Sequence, residues 1–134
     1  MFKQDGRGRD HIHGEGETRD RIIKKLDEGY QIYITFDVPP QFTRGPVEEV
    51  FFLNRSWKFP TGFLELLSHI SIPIVPLFTY LTEEGIRVFT FFPEYQINEG
   101  GIKEALQKCA TLFEKFILER PEQWFFWDDA QVFW

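Results

Sequence analysis

Two apolar runs, YQIYITFD at residues 30–37 and IPIVPLFTYL at residues 72–81, decide the fold. Each is far short of the ~20 apolar residues that a membrane-spanning helix needs. Each is also too apolar for a surface loop, so both read as buried strands of a sheet. Between them lie GPVEEVFFLN (45–54) and FPTGFLELL (59–67), punctuated by glycine and proline. In open sheets with parallel strands, ligands bind in crevices at the carboxyl ends of the strands, and Asp37 stands at such an end. Function is therefore expected in the segment between the two runs.

Upstream of the first run, Thr18 is placed to cap a helix through RDRIIKKLDE (19–28). Ile22, Ile23 and Leu26 share one face of it, and Gly29 supplies the left-handed stop. A helix, a tight glycine turn and a buried strand make half of a βαβ crossover, so HIHGEGE (11–17) is the expected preceding strand, paired in parallel. In an extended HIHGEGE, His11, His13, Glu15 and Glu17 project to one side, a metal-ligating pattern that an ordinary polar edge strand or loop fits equally. Residues 1–10 are polar and glycine-containing and read as a poorly ordered lead-in.

Downstream, VPPQFTRGP (38–46) carries three prolines and cannot lie inside a sheet, so it is a loop at a strand end with Arg44 and Gly45 on its far side. VEEVFF (47–52) resumes an extended pattern. NRSWKFPTG (54–62) reads as a second loop, opening a short helix whose apolar face is Phe63, Leu64, Leu66, Leu67 and Ile70. The start of that helix, near Thr61 and Gly62, offers backbone N–H groups suited to an anion, although most helix starts bind only water. Within IPIVPLFTYL, Pro76 requires an interruption or bulge. EEG (83–85) then turns the chain into IRVFTFFPEY (86–95), which pairs as a hairpin with the strand before it. From Gly101 to Glu119, Ile102, Leu106, Cys109, Phe113, Phe116 and Ile117 recur at helical spacing, and Pro121 follows. The tail PEQWFFWDDAQVFW (121–134) reads as packing against the sheet. The fold class is α/β: a mixed, mostly parallel sheet flanked by helices, with residues 1–17 as lead-in and residues 18–134 as the domain.

Composition narrows the function classes. At 134 residues the chain is long enough to bury a core without disulfides or metal. The one cysteine, Cys109, falls on the apolar stripe of the long helix and reads as a buried thiol rather than a nucleophile. A formal charge of −6 excludes the basic footprint that nucleic acid requires. The start MFKQDGRGRD has no apolar core of a signal peptide, and no run is long enough to span a bilayer, so the chain reads as soluble or peripheral. The sequence has no Walker, GxGxxG, GxSxG or CxxC motif. With 16 Phe and 4 Trp, some aromatics must reach the surface, where they suit a lipid, a partner chain or a missing piece of the same domain.

These features together resemble a known family. IPIVPL (72–77) looks like the proline-containing fourth block of the glycerolipid acyltransferase superfamily. The collinear order narrows the resemblance to the bacterial lipid A biosynthesis acyltransferases, the lauroyl and myristoyl transferases. That order is a helix ending in LDEG, a strand ending at Asp37, a loop with Gly45, the Phe51–Phe52 pair, Thr61–Gly62 before a helix, the proline-bounded strand and a long helix. It closes with ERPEQWFFW (119–127), similar to the family's Pro-Glu-Gln-Trp/Tyr-x-Trp signature. The resemblance implies an acyltransferase-like partial domain that moves a fatty acyl chain from a thioester carrier, acyl carrier protein or acyl-CoA, onto a hydroxyl of a glycolipid. No other cofactor is implied. The place implied is peripheral, at the cytoplasmic face of the inner membrane. Family chemistry rests on a His-x4-acid pair in which the carboxylate orients the imidazole that removes the hydroxyl proton.

Two departures qualify the match. His11 is followed five positions on by Gly16, His13 by Thr18 and His69 by Ile74, so no catalytic residue is assigned and the chain reads as the C-terminal, substrate-binding half of such an enzyme. Asp37, Arg44, Gly45, Thr61 and Gly62 match family blocks as substrate-binding positions, with Arg44 holding a phosphate. Asp128 and Asp129 stand where family members usually carry a basic run, which opposes an anionic lipid acceptor. A non-catalytic module binding lipid or protein through exposed Phe and Trp, Trp124 and Trp127 among them, is the alternative, and a metal protein using His11 and His13 is a third. An uncovered sheet edge in a half-domain is expected to pair with a partner chain or a second copy.

Overall fold

An apolar run becomes a strand only where its N–H and C=O groups find ladder partners. The computed structural model describes residues 15–43, 45–97 and 101–133. The chain divides into two compact units, one ending at Ile34 and the other spanning Thr35–Trp134.

In the first unit, helix α1 covers Glu15–Asp27. It begins at Glu15 rather than after the expected cap Thr18. Its end is as the glycine signal predicts: Gly29 has φ of +84°. The Gly29 N–H bonds the Leu26 carbonyl at 2.9 Å and the Tyr30 N–H bonds the Lys25 carbonyl at 3.0 Å, closing a Schellman motif. Glu15 and Glu17 are helical, so the edge strand expected over 11–17 is corrected for that part. His11 and His13 lie outside the described residues.

The run Tyr30–Asp37 is the main correction. It forms no ladder among the described residues, and Tyr33 and Ile34 are 71% and 42% exposed. Apolar alternation measures fitness for a sheet face, whereas a strand also needs a neighbouring edge. With residues 15–17 helical, none of the described residues pairs with it as a strand. The parallel pairing built on this run is not found among the described residues either, whose two ladders are both antiparallel.

The second unit is two hairpins packed on one helix. Strands β1 (Val47–Phe52) and β2 (Arg55–Pro60) pair with Val50 opposite Trp57 and Phe52 opposite Arg55. The connection is the two residues Leu53 and Asn54, at φ 49° and 61°, the left-handed pair that suits the twist of a two-residue hairpin. NRSWKFPTG is thus a strand rather than a second loop, with Trp57 and Phe59 buried. Helix α2 (Gly62–Ser68) follows, as the apolar spacing predicts. Strands β3 (Leu77–Leu81) and β4 (Arg87–Phe91) form the second hairpin, joined through Gly85 at φ +78°. The interruption demanded by Pro76 is present: Ile74 bridges Tyr95 in isolation before β3 begins.

Helix α3 (Ile102–Glu119) lays its apolar stripe under both hairpins. Phe113 stacks on Phe52 from β1 at 5.4 Å between ring centroids, and Phe116 stacks on Phe78 from β3 at 4.7 Å. Phe52, Phe59, Leu64, Leu106 and Phe133 are fully buried. The tail closes over this core as expected, with Trp124 tilted against Trp57 at 6.0 Å and Phe133 against Phe59 at 5.2 Å. The coarse class α/β stands, in the form of helices and small antiparallel sheets.

Candidate functional site

The candidate residues fall into two neighbourhoods of the second unit. The first is a corner where the loop before β1 meets the start of α2. The Thr61 N–H extends the β1–β2 ladder by one rung, bonding the Pro46 carbonyl at 2.9 Å. The Thr61 hydroxyl lies 3.2 Å from the same carbonyl and 3.4 Å from Glu65 Oε1. A hydroxyl has one proton to give, so it serves one of these acceptors at a time. At 2% exposure Thr61 is fixed in place and spends its polar groups internally. This rung brings the two glycines side by side: a Cβ on Gly45 would stand 3.8 Å from Gly62 Cα, an ordinary contact, and a Cβ on Gly62 would meet nothing within 4 Å. The backbone at Gly62 is consequently bare on its outer side. Glu65 brings a carboxylate into the first turn of α2, so the corner carries its own negative charge. Arg44, between Thr43 and Gly45, lies outside the described residues.

The second neighbourhood joins Asp37 to the end of α3. Pro121 opens a short 3-10 turn (Pro121–Gln123), which aims the next side chain back at the core. The Trp124 indole N–H donates to Asp37 Oδ2 at 3.1 Å, a contact between residues 87 apart in sequence. Burial pushes the Asp37 carboxyl above its usual range, and the indole N–H and the residue's own backbone N–H offset this in part. Phe36, next to Asp37, packs edge-on against Phe113 at 5.2 Å. Two further residues of the same block grip β3. Gln123 exchanges two hydrogen bonds with the Leu81 backbone, both at 2.8 Å, and the Arg120 guanidinium lies 3.8 Å over the Tyr80 ring. A stretch of five residues thus ties together Asp37, the second hairpin and the aromatic core.

A family model for bacterial lipid A biosynthesis acyltransferases matches residues 7–128. The chain belongs to that family. Comparison with curated proteins and with solved structures finds no match. Three side chains of PEQWFFW have defined partners: Gln123 on β3, Trp124 on Asp37, and the Trp127 indole N–H on the Pro121 carbonyl. Within IPIVPL, Pro76 sits where the isolated Ile74 bridge gives way to the continuous ladder.

Several expectations are revised at these residues. Trp124, taken with Trp127 as an exposed lipid- or partner-binding residue, is 8% exposed and belongs to the core; Phe125 at 86% and Trp127 at 39% are the exposed aromatics of the tail. Among the described residues no group of three His, Cys, Asp or Glu is placed to hold a metal, and His11 and His13, on which the metal expectation rests, lie outside them. Sequence reasoning missed Arg120 and Gln123 as contact residues. Both lie inside the quoted signature, but neither apolar period nor charge pattern marks a residue that bonds to a strand 42 positions earlier. It also missed a shallow apolar groove of about 420 Å³ where Pro76, Phe92 and Pro93 meet Tyr95, Lys108 and Leu112.

Proposed function

We propose that this chain acts in fatty acyl transfer from a thioester carrier, acyl carrier protein or acyl-CoA, to a hydroxyl of a glycolipid. The family match over residues 7–128 carries this reading. In it the chain is the substrate-binding half. Asp37, Arg44, Gly45, Thr61 and Gly62 are its substrate-binding positions, with Arg44 holding a phosphate of the acceptor and the bare backbone at Gly62 admitting it closely. Thr61, with its hydroxyl committed to Pro46 and Glu65, acts by fixing the corner rather than by touching the acceptor. The histidine and acid that deprotonate the acceptor hydroxyl, a spacing met by no histidine of this sequence, are supplied from outside it.

The location that goes with this reading is peripheral, at the cytoplasmic face of the inner membrane. No helix among the described residues is long and apolar enough to cross a bilayer. The deciding experiment is a thioester-consumption assay with acyl carrier and lipid acceptor, run with and without a polypeptide bearing the His-x4-acid pair. Turnover only with that polypeptide supports the reading; silence in both arms with folded protein removes it. In the active mixture, Arg44→Ala is expected to raise the apparent acceptor constant several-fold with the maximal rate nearly unchanged. Unchanged kinetics would take Arg44 out of the site.

A second reading, a non-catalytic lipid-binding module, is favoured by Phe125 and Trp127 at the surface. It expects vesicle binding without acyl transfer, and loss of that binding in the Phe125→Ala, Trp127→Ala double variant.

A further inference from the structure

In an antiparallel ladder, alternate residues turn their N–H and C=O toward the partner strand and the rest turn them outward. The Thr61 N–H bonds Pro46, one step beyond the Val47–Pro60 pair, so Val47, Glu49 and Phe51 face away from β2. The Phe92 N–H bonds Pro76 and the Thr82 N–H bonds Ile86, so Leu77, Thr79 and Leu81 face away from β4. These two outward rows are sheet edges of the kind that pair with strands from other chains.

Both rows are stopped at the end nearest the turn, and in the same way. From α3, Gln107 accepts the Phe51 N–H on Oε1 at 2.9 Å and donates from Nε2 to the Phe51 carbonyl at 2.8 Å. Glu114, two turns along the same helix face, accepts the Leu53 N–H at 2.7 Å. From the turn after α3, Gln123 does to Leu81 what Gln107 does to Phe51, with both bonds at 2.8 Å. A primary amide carries a donor and an acceptor side by side, as a peptide group does. Each glutamine therefore occupies the place where the backbone of an adjoining strand would lie.

We propose that Gln107 and Gln123 are edge stops, stand-ins for a strand that keep β1 and β3 from accepting an extended segment of a second copy of this chain. The segment to be refused belongs to this same sequence. Tyr30–Phe36 is uncharged and free of proline, rich in β-branched and aromatic residues, and without a ladder of its own among the described residues, which is the composition that adds to open edges. The inference is independent of the acyl-transfer reading.

The test uses the full chain and the variants Gln107→Ala and Gln123→Ala, singly and together. Amide exchange at Leu81 is expected to speed up on the order of tenfold in Gln123→Ala, with the Tyr80 amide unchanged, and exchange at Phe51 likewise in Gln107→Ala. The double variant is expected to sediment with a mass that rises with concentration above that of the wild type. Adding Ile34→Pro, which removes a donor from the extended segment, should return it to the wild-type value. Should the alanine variants unfold and lose protection everywhere, Gln107→Glu and Gln123→Glu take their place. A glutamate keeps the acceptor for the N–H and sets an oxygen against the carbonyl, so Leu81 stays protected while the edge opens. Wild-type exchange at Phe51 and Leu81 in the alanine variants, or wild-type sedimentation of the double variant at every concentration, overturns the proposal. Association that persists with Ile34→Pro overturns Tyr30–Phe36 as the segment refused.

Discussion

Asp37 carries two opposing effects on one carboxylate. Burial disfavours its charged form more than the Trp124 N–H favours it, so the carboxyl titrates above its ordinary range. A carboxyl whose pKa is raised by folding contributes stability that is fully present below the ordinary value near 4 and is lost as pH rises through the raised one. Above the raised value the group is ionised at a cost. Asp37→Asn, which is neutral and keeps an oxygen for the indole, is therefore expected to be more stable than the wild type at pH 7. Its advantage should fade as pH falls through the raised value and be gone below about 4, in chemical denaturation at a series of pH values. Asp37→Ala removes the acceptor and leaves the Trp124 N–H without its partner, for a loss of about 1–3 kcal/mol in the same measurement. The sequence marks Asp37 by its place at the end of an apolar run and Trp124 by its place in a signature. Nothing in spacing or periodicity links them, because a contact across 87 positions is a product of the whole fold.

The elements divide between those whose apolar pattern is locally complete and those that depend on a neighbour. Helix α3 and the β3–β4 hairpin are legible because Phe113 and Phe116 repeat on one helical face and Pro76 and Gly85 mark the strand ends. Strand β2 is hidden because Arg55, Ser56 and Lys58 dilute its apolar positions to Trp57 and Phe59, and because Leu53–Asn54 is not one of the glycine-bearing pairs that announce a hairpin. The Tyr30–Asp37 run fails in the opposite sense: its pattern is complete and its neighbour is missing among the described residues. The turn itself can be probed. Asn tolerates the left-handed region better than other side chains but less well than glycine. Asn54→Gly is accordingly expected to stabilise the domain by about 0.5 kcal/mol, and Asn54→Val, with its branched Cβ at φ 61°, to destabilise it by about 1–2 kcal/mol, both read from urea midpoints.

For the molecule as a whole, charge and aromatic surface act against each other. The formal charge of −6 repels anionic bilayers, whereas Phe125 and Trp127 suit the interface of any bilayer. Vesicles of zwitterionic lipid are therefore expected to retain more of the chain than vesicles rich in anionic lipid. The difference should shrink several-fold between 10 and 500 mM salt in co-sedimentation, where ~3–30 Å screening lengths span the regime. The pairing of Cys109 with Tyr95 has a consequence of a different kind. The thiol is buried, 2.9 Å from the phenol oxygen, and burial holds it protonated, while an alkylating reagent consumes only thiolate. Labelling must wait until α3 comes away, so the chain carries a chemical clock in its interior. With the unfolded fraction of a typical domain near 10⁻³–10⁻⁶, modification by iodoacetamide should run slower than that of a free thiol by a comparable factor. Each added increment of urea should quicken it in proportion to the fraction opened, so that this one sulfur reports the stability of the whole domain.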